Sequence, residues 1–154
     1  MLAIGGVFCQ KPKGECEMKN KISIALAVTA LIISSLACAV GEPTLSNVRT
    51  ATDEDGTQVT TVFSAADTIY VVSDLANGKT GNVVTSNWSV VSVEGYDPGY
   101  LIDSVDITLD EDKLAYTIFF YFEAPADGGW PAGTYQVEVL FNGTSNSTVQ
   151  FTVQ

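Results

Sequence analysis

The sequence predicts an all-β sandwich of about seven or eight short antiparallel strands. Three observations point there. Apolar and polar residues alternate with the period of a strand in run after run from residue 44 onward, as in Tyr135, Val137, Val139 and Phe141 against Gln136, Glu138 and Leu140. Clusters of Gly, Pro, Asn and Asp break these runs every 8–12 residues or so. No helical period appears after residue 42.

The elements follow in order. Thr44–Ala51 is weakly hydrophobic and reads as an edge strand. Asp53-Glu54-Asp55-Gly56 is a turn, and Thr57–Phe63 is the next expected strand. Thr68–Leu75 is rich in β-branched and aromatic residues, which suit a pleated, half-buried surface. Asn77-Gly78 breaks it. Val83–Val93 should place Val84, Ser86, Trp88, Val90 and Ser92 on one face. Gly95-Tyr96-Asp97-Pro98-Gly99 is a turn cluster, after which Tyr100–Leu109 alternates imperfectly and suggests a bulge. Asp110-Glu111-Asp112 is a charged turn. Lys113–Phe122 is the most apolar run, with Leu114, Tyr116, Ile118, Phe120 and Phe122 on one face, and is expected at the centre of a sheet or covered on both sides.

Gly128-Gly129-Trp130-Pro131-Ala132-Gly133 then forms a tight loop that feeds the strand beginning near Tyr135. Asn142-Gly143 suits a two-residue hairpin, since both residues tolerate positive φ. Thr148–Val153 is the return strand. A Tyr that follows a Gly corner and leads the penultimate strand resembles the tyrosine corner of immunoglobulin-like sandwiches. Trp88 lies on a mid-chain strand, where such folds often place a core Trp. The residue two after Tyr135 is Val137 and not Cys, so the resemblance is to disulfide-free members, over about residues 44–153. Asp67-Thr68-Ile69-Tyr70, Asn87-Trp88, the Gly129–Tyr135 stretch and the Phe151-Thr152-Val153 end together look like immunoglobulin-like domains of prokaryotic surface lipoproteins. What that resemblance implies is structural. It carries over no functional residue except an anchor at Cys38.

Charge and cysteine usage narrow the function classes. The chain has 154 residues and a formal charge of −11. Four of its seven basic residues, Lys11, Lys13, Lys19 and Lys21, precede residue 22. From Cys38 onward Arg49, Lys79 and Lys113 face 16 acidic residues, all of the 18 except Glu15 and Glu17. That surface repels phosphate backbones, so nucleic acid is not an expected partner. Cys9, Cys16 and Cys38 are the only cysteines, which leaves the strand region without a disulfide or a thiolate metal site. The chain has no His, which removes the commonest general base and the His-dependent nucleophile systems.

The N-terminal part reads as an address. Met18-Lys19-Asn20-Lys21 is a basic segment, and Ile22–Val40 runs without a charge. Basic, apolar and then small residues make a secretory signal. Met18 sits where such a signal starts, so residues 1–17 read as an upstream extension, 18–37 as the signal, 38–43 as a tether and 44–154 as the sandwich. Ser35-Leu36-Ala37-Cys38 resembles the lipobox of bacterial lipoproteins. That resemblance implies lipid on Cys38, although Ser35 stands where Leu is usual. Ala37-Cys38-Ala39 also fits ordinary signal cleavage, and an uncleaved segment of this length is long enough to span a membrane. Each route puts the acidic domain outside the cytoplasm: ordinary cleavage would release it, whereas lipid on Cys38 would hold it on the cell envelope.

Candidate sites each have a plainer reading. Asp53 and Asp55 in one turn, and Asp110 and Asp112 in another, are oxygen donors of the kind Ca²⁺ takes, yet neither turn has an EF-hand register, and a solvated Asp-Gly turn explains the first equally. No other cofactor is expected. Trp130, Tyr96 and Tyr100 lie in or beside loops and suit a platform for a sugar ring or a partner, whereas a plug over one end of the sandwich also explains Trp130. The sequence singles out no pair of carboxylates of the glycosidase kind, so an enzyme is not expected. Asn87, Asn142 and Asn146 begin glycosylation sequons that arise readily by chance in a strand-rich, Ser/Thr-rich chain. The expected partners are the membrane, through a lipid, and envelope proteins or polysaccharide.

Overall fold

A computed structural model of the chain describes residues 41–154. The signal, the extension before it and Cys38 lie outside the described residues. Within them the strands are β1 (Thr44–Ala51), β2 (Val62–Phe63), β3 (Ile69–Gly78), β4 (Val83–Val93), β5 (Leu101–Thr108), β6 (Lys113–Phe122), β7 (Gly133–Phe141) and β8 (Thr144–Val153). They form two sheets, one ordered β1-β3-β6 and the other β2-β8-β7-β4-β5. All pairings are antiparallel except β2 with β8, which run parallel. The expected all-antiparallel arrangement is corrected at that point.

Alternation decides which side chains fill the space between the sheets. Ile69, Val71 and Leu75 of β3 and Ile118 and Phe120 of β6 meet Val84, Trp88 and Val90 of β4, Tyr135, Val137 and Val139 of β7, and Phe151 and Val153 of β8. Trp88 is the largest fully buried side chain. Its ring lies 5.3 Å from Phe122 and 6.2 Å from Phe151, and its Nε1 donates to Ser86 Oγ at 3.0 Å. Ser86 is itself buried, so this hydrogen bond removes the cost of an unpaired indole N–H in the core. Tyr135 stacks on Phe151 at 5.3 Å, and Phe63 meets Phe151 edge-on at 5.6 Å. The two sheets are thus joined across the core by aromatic packing, with no cysteine among these residues.

Strand β3 runs on past Leu75 to Gly78, which still pairs with Lys113, so Asn77-Gly78 does not break it. Four further departures from the sequence reading have local causes. The expected strand Thr57–Phe63 is reduced to Val62–Phe63. Asp53 accepts hydrogen bonds from the Thr57 and Gln58 amides, and the Arg49 guanidinium donates to the carbonyls of Gly56 and Asp55. Those bonds fold residues 53–58 into a loop against β1, and Val59 joins β1 through a single bridge to Ala51. In β4 the register slips between Val90 and Ser92, so Val93 turns inward and Ser92 is left at the surface. The return strand starts at Thr144, directly after the turn, because Asn142 (φ 49°) and Gly143 (φ 77°) make the tightest hairpin available.

The fourth departure concerns β6, which is an edge strand and not a central one. Strand β5 belongs to the other sheet, beside β4, and the chain returns to that sheet at β7, so nothing among the described residues pairs with the outer side of β6. Its inward face is buried only at Ile118 and Phe120. Phe119 and Tyr121 point outward, where with Tyr70 they form a surface aromatic cluster at ring distances of 5.9 and 6.3 Å.

Candidate functional site

The loops at one end of the sandwich build an apolar cleft. Its volume is about 240 Å³, and Tyr96, Tyr100, Trp130, Pro125, Pro131 and Tyr135 contribute to its walls, with Val90 and Ile102. Three of these were singled out in the sequence, and the fold brings all three together.

Backbone hydrogen bonds set Tyr96 and Tyr100 on the β4–β5 connection. The Tyr96 amide donates to Val93, the Tyr100 amide donates to Asp97, and the Gly99 amide donates to Val90. The Val90 amide in turn donates to the Tyr100 carbonyl, which ties the loop to β4. The two rings lie 5.5 Å apart at 54°. They are 48% and 54% exposed, so this pair forms the accessible lip of the cleft.

Trp130 forms the floor. It is only 5% exposed, and packs 5.6 Å from both Phe122 and Tyr135. Its amide donates to the Ala65 carbonyl at 2.8 Å and its Nε1 donates to the Asp67 carbonyl at 3.2 Å. The plug reading therefore describes Trp130, and only an edge of the ring is left to face a ligand. The approach requires Gly129. Its φ is 77°, and a Cβ there would sit 2.3 Å from the Ala65 carbonyl oxygen.

Tyr135 anchors the same corner. Its hydroxyl donates to the Pro131 carbonyl at 2.6 Å, four residues back, which is the geometry of a tyrosine corner. Burial pushes its hydroxyl pKa above the ordinary tyrosine value, with a smaller push from nearby Tyr96. A group held in its neutral form and already donating to a backbone oxygen is a structural brace and not an acid or base. No sequence signal singled out Pro125, Val90 or Ile102 as cleft residues, because a two-residue period assigns them only a face of a strand or a place in a loop.

The acidic turns are built differently. Asp53 accepts from the Thr57 hydroxyl, the Gln58 amide and the Thr57 amide, and these bonds lower its pKa. Asp112 accepts from the Thr80 amide, the Lys79 ammonium and the Thr80 hydroxyl, with the same result. Both carboxylates spend their lone pairs closing loops. Among the described residues no three acidic or thiol side chains converge as metal ligands, and neither Asp53 with Asp55 nor Asp110 with Asp112 forms such a group. Cys38 lies outside the described residues. Of the sequon asparagines, Asn87 accepts from Ser104 and Asn142 accepts from the Val83 amide, so each is part of the sheet framework.

The strand order defines the class. Strands β1, β3 and β6 occupy the places of A, B and E in an immunoglobulin-like sandwich, and β4, β7 and β8 those of C, F and G, with β5 added beside C. The core Trp on β4 and the corner Tyr on β7 fall where that architecture puts them. No family model and no curated protein matches the chain. Among solved structures it is similar to an alkylpurine DNA glycosylase from Pseudomonas fluorescens bound to DNA with an abasic site analog, at 13% identity and a TM-score of 0.47, over 74% of this chain and 31% of that one. It is similar to a β-glucosidase from Listeria innocua at 13% identity and a TM-score of 0.45, over 73% of this chain and 16% of that one. It is also similar to an immunoglobulin-like protein from Pseudomonas aeruginosa at 14% identity and a TM-score of 0.46, over 75% of this chain and 99% of that one. The chain thus spans under a third of the two enzymes. Identities and scores this low leave the architecture resting on the strand order alone.

Proposed function

We propose that this protein is a non-enzymatic, extracytoplasmic immunoglobulin-like domain, held at a membrane by lipid on Cys38 and serving an adhesive or interaction role in the cell envelope. The observation that carries the binding role is the Tyr96–Tyr100 lip: two adjacent, half-exposed aromatic rings above an apolar cleft at the loop end. Rings placed this way supply flat contact area at small entropic cost, because each side chain fixes only two torsions. The cleft is lined by Val90, Ile102, Pro125, Pro131 and aromatic side chains, which suits contact with an apolar face. The acidic surface suits a domain that stays soluble beside a membrane and meets neutral or cationic surfaces.

A second reading is a small carbohydrate-binding accessory module. The same tyrosine pair favours it, since a tilted aromatic lip matches the apolar face of a sugar ring. Both readings put the contact at Tyr96 and Tyr100. Binding of the full chain to envelope fragments, with and without Tyr96→Ala and Tyr100→Ala, tests the role of the lip. The expected result is loss of binding in the double variant with an unchanged melting temperature. Equal binding by wild type and variant would overturn the assignment. Competition by soluble envelope oligosaccharides separates the second reading from the first.

A further inference from the structure

Each sheet edge is a row of unpaired N–H and C=O groups, and folded proteins normally protect such edges. Three of the four edges here carry a protecting feature. Strand β1 has a register shift between Ser46 and Arg49, with Asn47 at φ 54°. Strand β2 is two residues long. Strand β5 is offset where Trp88 and Ser89 of β4 meet it, and it carries Asp103 and Asp106. Strand β6 has no such shift or truncation, and its one charge, Lys113, sits at its first position. It is ten residues long, lacks Pro and Gly, and pairs with β3 without a register shift. It also exposes Leu114, Phe119 and Tyr121, the first at 76%. Beside it the space between β6 and the end of β5 is an open apolar groove lined by Ile107, Leu109, Tyr116 and Ile118.

We propose that β6 pairs antiparallel with β6 of a second copy of this chain, across a two-fold axis at Ile118, joining the two three-stranded sheets into one of six. Geometry and charge select this register. A strand paired antiparallel with its own copy must centre on a residue, because opposed residues have to present their backbone groups in the same sense. Centring on Ile118 sets Lys113 of each copy opposite Glu123 of the other, at both ends of the pair. Centring on Thr117 sets Lys113 opposite Tyr121, and centring on Phe119 sets Glu123 opposite Ala115, so neither neighbouring register pairs the charges. Both Lys113 and Glu123 are exposed. The Ile118 register also sets exposed Leu114 opposite Phe122, and Phe119 opposite Thr117. Lys113 is the only charged side chain within β6 and occupies its first position, so it marks the end of the pairing without interrupting it. It bonds Glu111 of its own chain and lies 5.0 Å from the centre of the Tyr116 ring, exposed contacts that exchange for Glu123 replaces at little net cost. The arrangement is isologous and closes on itself, so it yields a dimer and not a filament. It depends neither on the anchor at Cys38 nor on the tyrosine lip.

Sedimentation of the full chain in density-matched detergent micelles, over a range of concentrations, tests this with a charge swap. Like charges directly opposite in a strand pair repel, and the symmetry applies each change twice. Lys113→Glu and Glu123→Lys should each weaken the dimer, by roughly ten-fold. The double variant should return to within about two-fold of wild type, because the pairs are restored with reversed sign. Circular dichroism of each variant should be unchanged, since both positions are exposed. A chain that is monomeric throughout, a dimer indifferent to either single change, or a double variant as weak as the singles would each overturn the proposal.

Discussion

Replacing Tyr135 by Phe removes one oxygen from the middle of the corner and leaves the packing in place. The ring stays stacked on Phe151 and against Trp130, while the hydroxyl bond to the Pro131 carbonyl is lost. A hydrogen bond of this kind contributes about 0.5–1.5 kcal/mol net, and leaving a partly buried acceptor unpaired moves the cost toward the upper end. We therefore expect a loss of about 1–1.5 kcal/mol, or about 5–8 °C in Tm for a domain of this size. Urea unfolding followed by Trp88 and Trp130 fluorescence measures it, and the midpoint should fall at constant slope. The same variant carries a pH signature. The folded-state pKa of Tyr135 lies above its ordinary value of 10.0, so its contribution is complete below that pH and is lost as pH rises through the folded value. The gap between wild type and variant should narrow in alkali. A change smaller than about 0.3 kcal/mol at neutral pH, well under the expected hydrogen-bond contribution, would refute the corner as a brace.

Two further outcomes follow from the same geometry. Gly129→Ala drives a Cβ into the Ala65 carbonyl at a positive φ, so calorimetry should show a loss of about 1–3 kcal/mol, with Trp130 emission shifting to the red as the plug lifts. Asp53→Asn tests the loop brace. The folded carboxylate titrates below its ordinary 3.8, so its contribution is present above that pH and fades as pH falls through the lower folded value. The difference in urea midpoint between wild type and variant should shrink below pH 3.8 and be steady from there to neutrality.

Local features of the fold were legible because they depend on neighbours in sequence. The bounds Val83–Val93 and Lys113–Phe122 follow from alternation alone, and the Asn142-Gly143 hairpin and the Tyr135 corner follow from backbone chemistry at single positions. Sheet order depends on non-local pairing. The apolar run of β6 therefore suggested a central strand, although its outward face is the exposed cluster of Phe119 and Tyr121. Alternation makes the loop after β1 look like strand, because the brace on Asp53 and Arg49 is a matter of side-chain reach, which alternation does not encode. One slipped pair at Val90 and Ser92 inverted the rest of β4, as a two-residue period demands. For the site, loop aromatics are visible as candidates, but the closure of Pro125, Pro131 and Val90 around them arises only when the β4–β5 and β6–β7 connections meet at one end.

The function proposed for this domain depends most on where the chain is held. Intact mass of the protein from its native membrane fraction addresses that directly. The account predicts a mature chain beginning at Cys38 and carrying added acyl mass. A soluble chain beginning at Val40, or an uncleaved chain without acyl groups, would contradict it.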